Sequence, residues 1–138
     1  MTLLQVHFFA VCFWLGLLAA ETVMELHLRS GRNPGPIASI HRWIDLLFEG
    51  PAVVLVLVTG GLLLAQNWPA PPLLWVKVAC GLVAIAANLY CIPLVVGRAR
   101  ATDESVAHTL TRRISHTGWA IPFALAAFVI GIAFLRAN

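Results

Sequence analysis

Seven ionisable side chains, His7, Glu21, Glu25, Asp45, Glu49, Lys77 and His116, stand within stretches of sequence that are otherwise almost wholly apolar. In such a setting imidazoles, carboxylates and an amine can ligate a metal or a haem iron, relay protons or bind an ion. A charge near the centre of a bilayer costs about 2.5–3.5 kcal/mol on insertion scales. Helices serving only as anchors therefore exclude them. The residue types point to a polar interior that does chemistry.

Their spacing supports this. At about 100° per residue, Trp14 falls about 20° from His7, Glu21 about 40° from it, and Glu25 in line with it. His41, Asp45 and Glu49 recur at i, i+4 and i+8. Lys77, Gly81, Ala84, Asn88 and Cys91 share a third helical face, and His116, Phe123 and Ala127 a fourth. Each of these faces is expected to turn inward. Depth divides the residues into two layers. His7 and Lys77 lie about 12 Å from the centres of their spans toward one side. Glu21, Glu49 and Asn88 lie in the other half, with Glu25, Asp45, His41 and His116 nearer the second membrane surface. The first layer pairs an imidazole with an ammonium group. The second is an acidic pocket, expected within reach of Arg42, Arg112 and Arg113. Asp45 and Glu25 equally suit a packing role in ion pairs with those arginines.

The elements that position these residues are four apolar stretches, at 4–26, 44–65, 73–96 and 115–135. Each is close to the roughly 20 residues that a helix needs to cross a bilayer. With 60% hydrophobic and 11% charged residues, a soluble domain is excluded. A length of 138 residues allows one domain, an all-α integral membrane four-helix bundle with no separate soluble catalytic domain. The net charge of +3 is not a nucleic-acid signal, because the basic residues are sorted by connection rather than clustered on one face. Arg29, Arg32 and Arg42 flank the first connection and Arg98, Arg100, Arg112 and Arg113 the third. The second, Gln66 to Pro72, carries no charge. The positive-inside rule then predicts an N-out, C-out, multi-pass protein of the cytoplasmic (inner) membrane.

The first stretch is read as a retained helix, since no basic residue precedes it and it exceeds a signal-peptide core. The Ser30 to Pro36 segment breaks the helix, and 37–42 is expected as a short interfacial helix. A kink is expected at Gly50-Pro51, and Pro93 and Pro122 offer further ones. Arg98 to Arg113 reads as a surface loop or helix extension. Trp68 and Trp75 suit the outer interface, Trp43 and Trp119 the inner. Cys12, Cys80 and Cys91 fall within spans and read as small apolar fillers.

Among chemistries, haem binding needs imidazole ligands in a helical bundle with small residues to admit the porphyrin. His7, His41 and His116 supply the first, and Gly81, Ala84, Ala124 and Ala127 the second. His41 and His116 match in depth but sit at the membrane edge, and His7 has no histidine partner in its own layer. A di-metal carboxylate site would require a Glu-x-x-His motif, which is absent. Copper handling through methionines has only Met1 and Met24 to draw on.

Val6-His7-Phe8-Phe9, Trp14-Leu15-Gly16 and His27 in the first span, Thr59-Gly60-Gly61 in the second, and Leu74-Trp75-Val76-Lys77 in the third resemble a group of small four-helix membrane proteins. The group includes HemJ-type protoporphyrinogen oxidases, CopD-like domains and uncharacterised members. The last look closest, through Glu21 and Asp45. The chain departs from the HemJ pattern at Asn88, where those proteins tend to carry a histidine. It departs again at Ala120-Ile121-Pro122, where they tend to carry Asn-Glu before the proline. The resemblance implies a homodimeric redox protein in the lipid bilayer that binds b-type haem. It would pass electrons between a membrane-soluble, porphyrin-like substrate and quinone. His7 would be a haem ligand, and Lys77 a contact for a propionate or an anionic substrate. On this reading His7, His41, His116, Trp14 and Asn88 are the cofactor-binding candidates, the three histidines being the metal-ligand candidates. Glu21, Glu49 and Lys77 are the catalytic candidates. Two alternatives remain at this stage: a carrier of a divalent metal ion, copper or a small solute through the acidic layer, and an accessory subunit whose buried charges fix packing.

Overall fold

The computed structural model describes residues 1–30 and 35–137. Helix α1 spans Leu3–Arg29, α2 Gly35–Ile44, α3 Gly50–Gln66, α4 Pro72–Arg100, α5 Glu104–Thr117 and α6 Ile121–Ala137. A π-helical turn, Asp45–Glu49, joins α2 to α3, and a 3-10 turn, Gly118–Ala120, joins α5 to α6. Gly31 to Pro34, with Arg32, and Asn138 lie outside the described residues. Among the described residues, Leu3–Arg29, Gly35–Gln66, Pro72–Arg100 and Glu104–Arg136 are long and apolar enough to cross a membrane.

Local chemistry explains the helix ends. The free N–H groups of the first turn of α1 are met by a capping box, in which Gln5 N–H donates to Thr2 Oγ1 (3.3 Å) and Thr2 N–H to Gln5 Oε1 (2.9 Å). The Asn67 side chain ends α3 by donating to the Leu63 carbonyl at 2.8 Å. Pro71 and Pro72 start α4, where a missing backbone donor does no harm. Asp103 caps α5 by accepting from Ser105 N–H at 2.8 Å, and hydrogen bonds from the Ser105 hydroxyl and then its backbone N–H hold the Asp103 carboxyl below the usual range.

Helix α1 packs on α3, and α4 on α6, α5 and α2. Between the two polar layers lies a buried apolar layer that includes Ala10, Val53, Val56, Ala84 and Ile85. Large apolar side chains such as Phe9, Val23, Leu47, Val54 and Val129 cover the outside of the bundle, the surface a lipid chain would contact.

Two sequence expectations change form. The Gly50-Pro51 disturbance is a π-turn placed just before the proline, with Gly50 N–H reaching back five residues to the Asp45 carbonyl. Pro122 does not kink a helix but occupies the first turn of α6, where proline is tolerated. Of the two forms expected for the stretch after Arg98, the structure has the helix extension: α4 continues to Arg100 and α5 resumes at Glu104.

Candidate functional site

At the end of the bundle that carries the N-terminus, α1 presents His7 to α3. Its Nδ1 lies 2.9 Å from Thr59 Oγ1. The hydroxyl has one proton, and it is directed to the Leu55 carbonyl at 2.6 Å. Thr59 therefore accepts from His7, which puts the imidazole proton on Nδ1 and leaves Nε2 with a bare lone pair. Gly60 lies against the ring: a Cβ there would come within 3.2 Å of His7 Cε1. His7 and Lys77, with Phe8, Trp14, Gly81 and Phe128, line a cavity of about 570 Å³ whose walls are predominantly apolar. That volume falls within the range of small-molecule and cofactor sites. His7 and Lys77, expected in one layer, both face this cavity.

The other polar layer is denser. Glu21 and Glu25 come from α1, His41 from α2, Asp45 and Glu49 from the π-turn, and Asn88 and Arg98 from α4. His41 Nε2 lies 3.3 Å from Asp45 Oδ1 and 4.0 Å from Glu21 Oε2, and its Nδ1 is 3.0 Å from Glu25 Oε1. Arg98 contacts Glu25 Oε1 through Nη1 at 2.6 Å and donates from Nη2 to His41 Nδ1 at 2.9 Å. Trp14 Nε1–H donates to Glu49 Oε1 at 3.2 Å, and Glu49 also hydrogen-bonds with Asn88 and Glu21. The wide π-turn places Asp45 and Glu49 in the interior together, each only 1% exposed. A second cavity, of about 300 Å³, opens on Glu21, Glu25, His41, Asn88 and Cys91.

Most of the sequence-derived candidates are therefore assembled. Glu21, Glu49, His41 and Asn88 meet in one layer and His7 and Lys77 in the other. Trp14 bridges them, lining the larger cavity while bonding to Glu49. His41, 2% exposed, is the hub of the acidic layer. Its helix starts at Gly35, well before the apolar stretch, and carries it inside. His116 departs from expectation. It is exposed and lines neither cavity, Phe123 of the same expected face is exposed too, and of the three only Ala127 lines the larger cavity, the 3-10 turn having broken the helical count between α5 and α6. The arginine partner also differs. Arg42 stacks over Trp43 at 5.2 Å and Arg112 and Arg113 are exposed, so Arg98 alone among them serves the carboxylates. By charge sorting alone, Arg98 belongs to a connection. The signal was available, since Arg98 follows Cys91 by seven residues and so lies about 20° from it on the inward face of α4.

Compared with known proteins, the chain matches no family model, no curated protein and no solved structure. Function must be argued from these two sites.

Proposed function

We propose that this chain is a membrane-embedded redox protein that holds a b-type haem in the larger cavity and passes electrons between a membrane-soluble substrate and quinone. The observation that carries this reading is the 2.9 Å contact of His7 Nδ1 with Thr59 Oγ1, whose own hydroxyl has an acceptor in the Leu55 carbonyl. A ligating histidine nearly always gives its other ring N–H to a neighbouring acceptor, which orients the ring and raises its basicity. Thr59 is that acceptor here, and the lone pair of Nε2 remains for iron. Gly60 keeps the space beside the ring free, and apolar walls suit a porphyrin. Lys77, partly buried on the same cavity, supplies a positive charge for a propionate or an anionic substrate. With a single histidine facing the cavity among the described residues, the arrangement favours one protein ligand and an open position, which suits substrate chemistry rather than electron storage alone.

Haem, when bound, would supply one-electron chemistry. The residues of the chain would hold and orient it, keep water out, and move the accompanying protons. Trp14 lies between the cavity and Glu49, so its position links the site to the carboxyl groups of the acidic layer. A second copy of the chain in the bilayer belongs to the same proposal.

A metal-ion or solute carrier is the second reading, and one observation favours it. Among the described residues, Arg98 is the one guanidinium in direct contact with the layer of Glu21, Glu25, Asp45 and Glu49, so added positive charge, as protons or a cation, would offset the remaining carboxylates there. Against it stands the apolar layer of Ala10, Val53, Val56, Ala84 and Ile85, which separates the two polar layers instead of joining them in a path.

The test is an absorption spectrum of the detergent-purified protein. A Soret band that is lost or strongly shifted in His7→Ala supports the redox reading, provided helix content is preserved. Colourless protein that also fails to bind added haemin refutes it.

A further inference from the structure

The acidic layer contains a feature that the redox reading does not require. Glu21, His41 and Asp45, from α1, α2 and the π-turn, each offer a ligand atom, and these atoms lie within 4.8 Å of one another. We propose that Glu21, His41 and Asp45 form a binding site for one divalent first-row transition-metal ion, with Glu25 and Arg98 as its outer support.

The spacing fits an ion. Carboxylate oxygen and imidazole nitrogen bind such metals at about 2.0–2.2 Å, so two ligands at ordinary angles stand about 3.0–3.4 Å apart. His41 Nε2 and Asp45 Oδ1, at 3.3 Å, already have that separation. Glu21 Oε2, at 4.0 Å from Nε2, closes the gap with a small side-chain adjustment. Independently of the acidic cluster itself, there are orphaned polar atoms. Glu21 Oε1 and Asn88 Oδ1 are buried without a hydrogen-bond partner, and both residues are more than nine-tenths buried. A buried polar atom left unpaired costs about 1–3 kcal/mol, so these two atoms, on side chains that line the same cavity as His41, call for an occupant. The cavity of about 300 Å³ beside Glu21, His41 and Asn88 leaves room for water molecules to complete the coordination.

His41 gives the site its selectivity for a bound cation. Its Nδ1 is within 3.0 Å of Glu25 Oε1 and 2.9 Å of Arg98 Nη2, and it cannot satisfy both. With the proton on Nδ1, the ring donates to Glu25 and aims a lone pair from Nε2 at Asp45 and Glu21. That arrangement is repulsive unless a cation or a carboxyl proton lies between them. It is also the carboxylate–histidine–metal chain by which ligating histidines are held. With the proton on Nε2, the ring donates to Asp45 and Arg98 donates to Nδ1. Metal binding selects the first state. One nitrogen and two carboxylates, with no thiolate, suit ions of the manganese, iron, cobalt and zinc kind rather than copper(I).

Binding of Co²⁺, read by its visible d–d bands and by metal content per chain, tests the site on the full-length protein in detergent. One Co²⁺ per chain is expected, displaced by Zn²⁺, with a raised Tm. His41→Ala and Asp45→Asn should abolish the bands, and Glu25→Gln should weaken affinity by about 10- to 100-fold while keeping the stoichiometry. His7→Ala should leave binding unchanged, so failure of the haem reading and failure of this site are separately visible. Wild-type protein that takes up no Co²⁺ at 100-fold excess, with its Tm unmoved, overturns the proposal without any variant. Bands that persist in folded Asp45→Asn and His41→Ala overturn it as well.

Discussion

Arg98→Met should be among the most damaging single substitutions in this chain. The side chain is 2% exposed, touches Glu25 Oε1 at 2.6 Å and donates to His41 at 2.9 Å. Methionine fills much of the volume but leaves Glu25, together with Glu21, Asp45 and Glu49, without the guanidinium. Removing one partner of a buried ion pair costs about 3–5 kcal/mol, because the remaining charge stays buried and uncompensated. Against a total stability of about 5–15 kcal/mol, that is a large fraction. Arg98→Lys keeps the charge but loses the planar fork that reaches Glu25 and His41 together, and should cost about half as much. Pairing Arg98→Met with Glu25→Gln removes both charges, so the double variant should recover much of the loss, with a coupling energy of about 1–3 kcal/mol. Thermal unfolding in detergent, followed by circular dichroism across the four-protein cycle, measures this. A loss below about 1 kcal/mol in Arg98→Met, or strict additivity in the double variant, would refute Arg98 as the counter-charge of the layer.

Other expectations follow from single contacts. Thr59→Val keeps the shape but removes the acceptor of His7 Nδ1–H, and should weaken haem affinity by about 10- to 100-fold in a haemin titration. Trp14→Phe leaves Glu49 Oε1 without its indole donor and should destabilise by about 1–3 kcal/mol in denaturant titrations; no change would mean that Glu49 needs no such partner. Gly60→Ala and Gly131→Ala make a contrasting pair. The first drives a methyl to 3.2 Å from the confined imidazole of His7 and should impair haem binding. The second meets the flexible Lys77 chain at 3.0 Å from Cε, which can swing aside, and should be far milder.

Much of this architecture is legible in the sequence because a bilayer-length apolar run has few alternatives to a helix. The same holds for the inward faces of α1 and α4: an uninterrupted helix keeps its phase, so His7, Trp14 and Glu21 stay aligned, as do Lys77 and Asn88. Legibility fails where phase is broken. His116 was carried inward by counting through Gly118–Ala120, but a 3-10 turn advances more steeply per residue and turns α5 relative to α6. The π-turn at Asp45–Glu49 was equally invisible, since only the proline after it is written in the sequence. Arg98 was hidden for another reason. A guanidinium near the end of an apolar run reads as a topology signal, and only the tertiary contact of α4 with α2 and α1 shows that it serves Glu25 instead. Thr59, read as one letter of a Thr-Gly-Gly element, fixes the His7 tautomer, and no spacing rule links two residues 52 positions apart.

The claim that His7 Nε2 is the ligand to haem iron is tested most directly by chemical rescue. His7→Gly protein is titrated with haemin, followed by its Soret band, in the absence and presence of free imidazole. The account predicts weak or absent binding without imidazole and recovery of the wild-type spectrum with it, since the cavity beside Gly60 and Thr59 remains to seat the added ring. A Soret band in His7→Gly that matches wild type and ignores imidazole would contradict the account and remove the haem from this cavity.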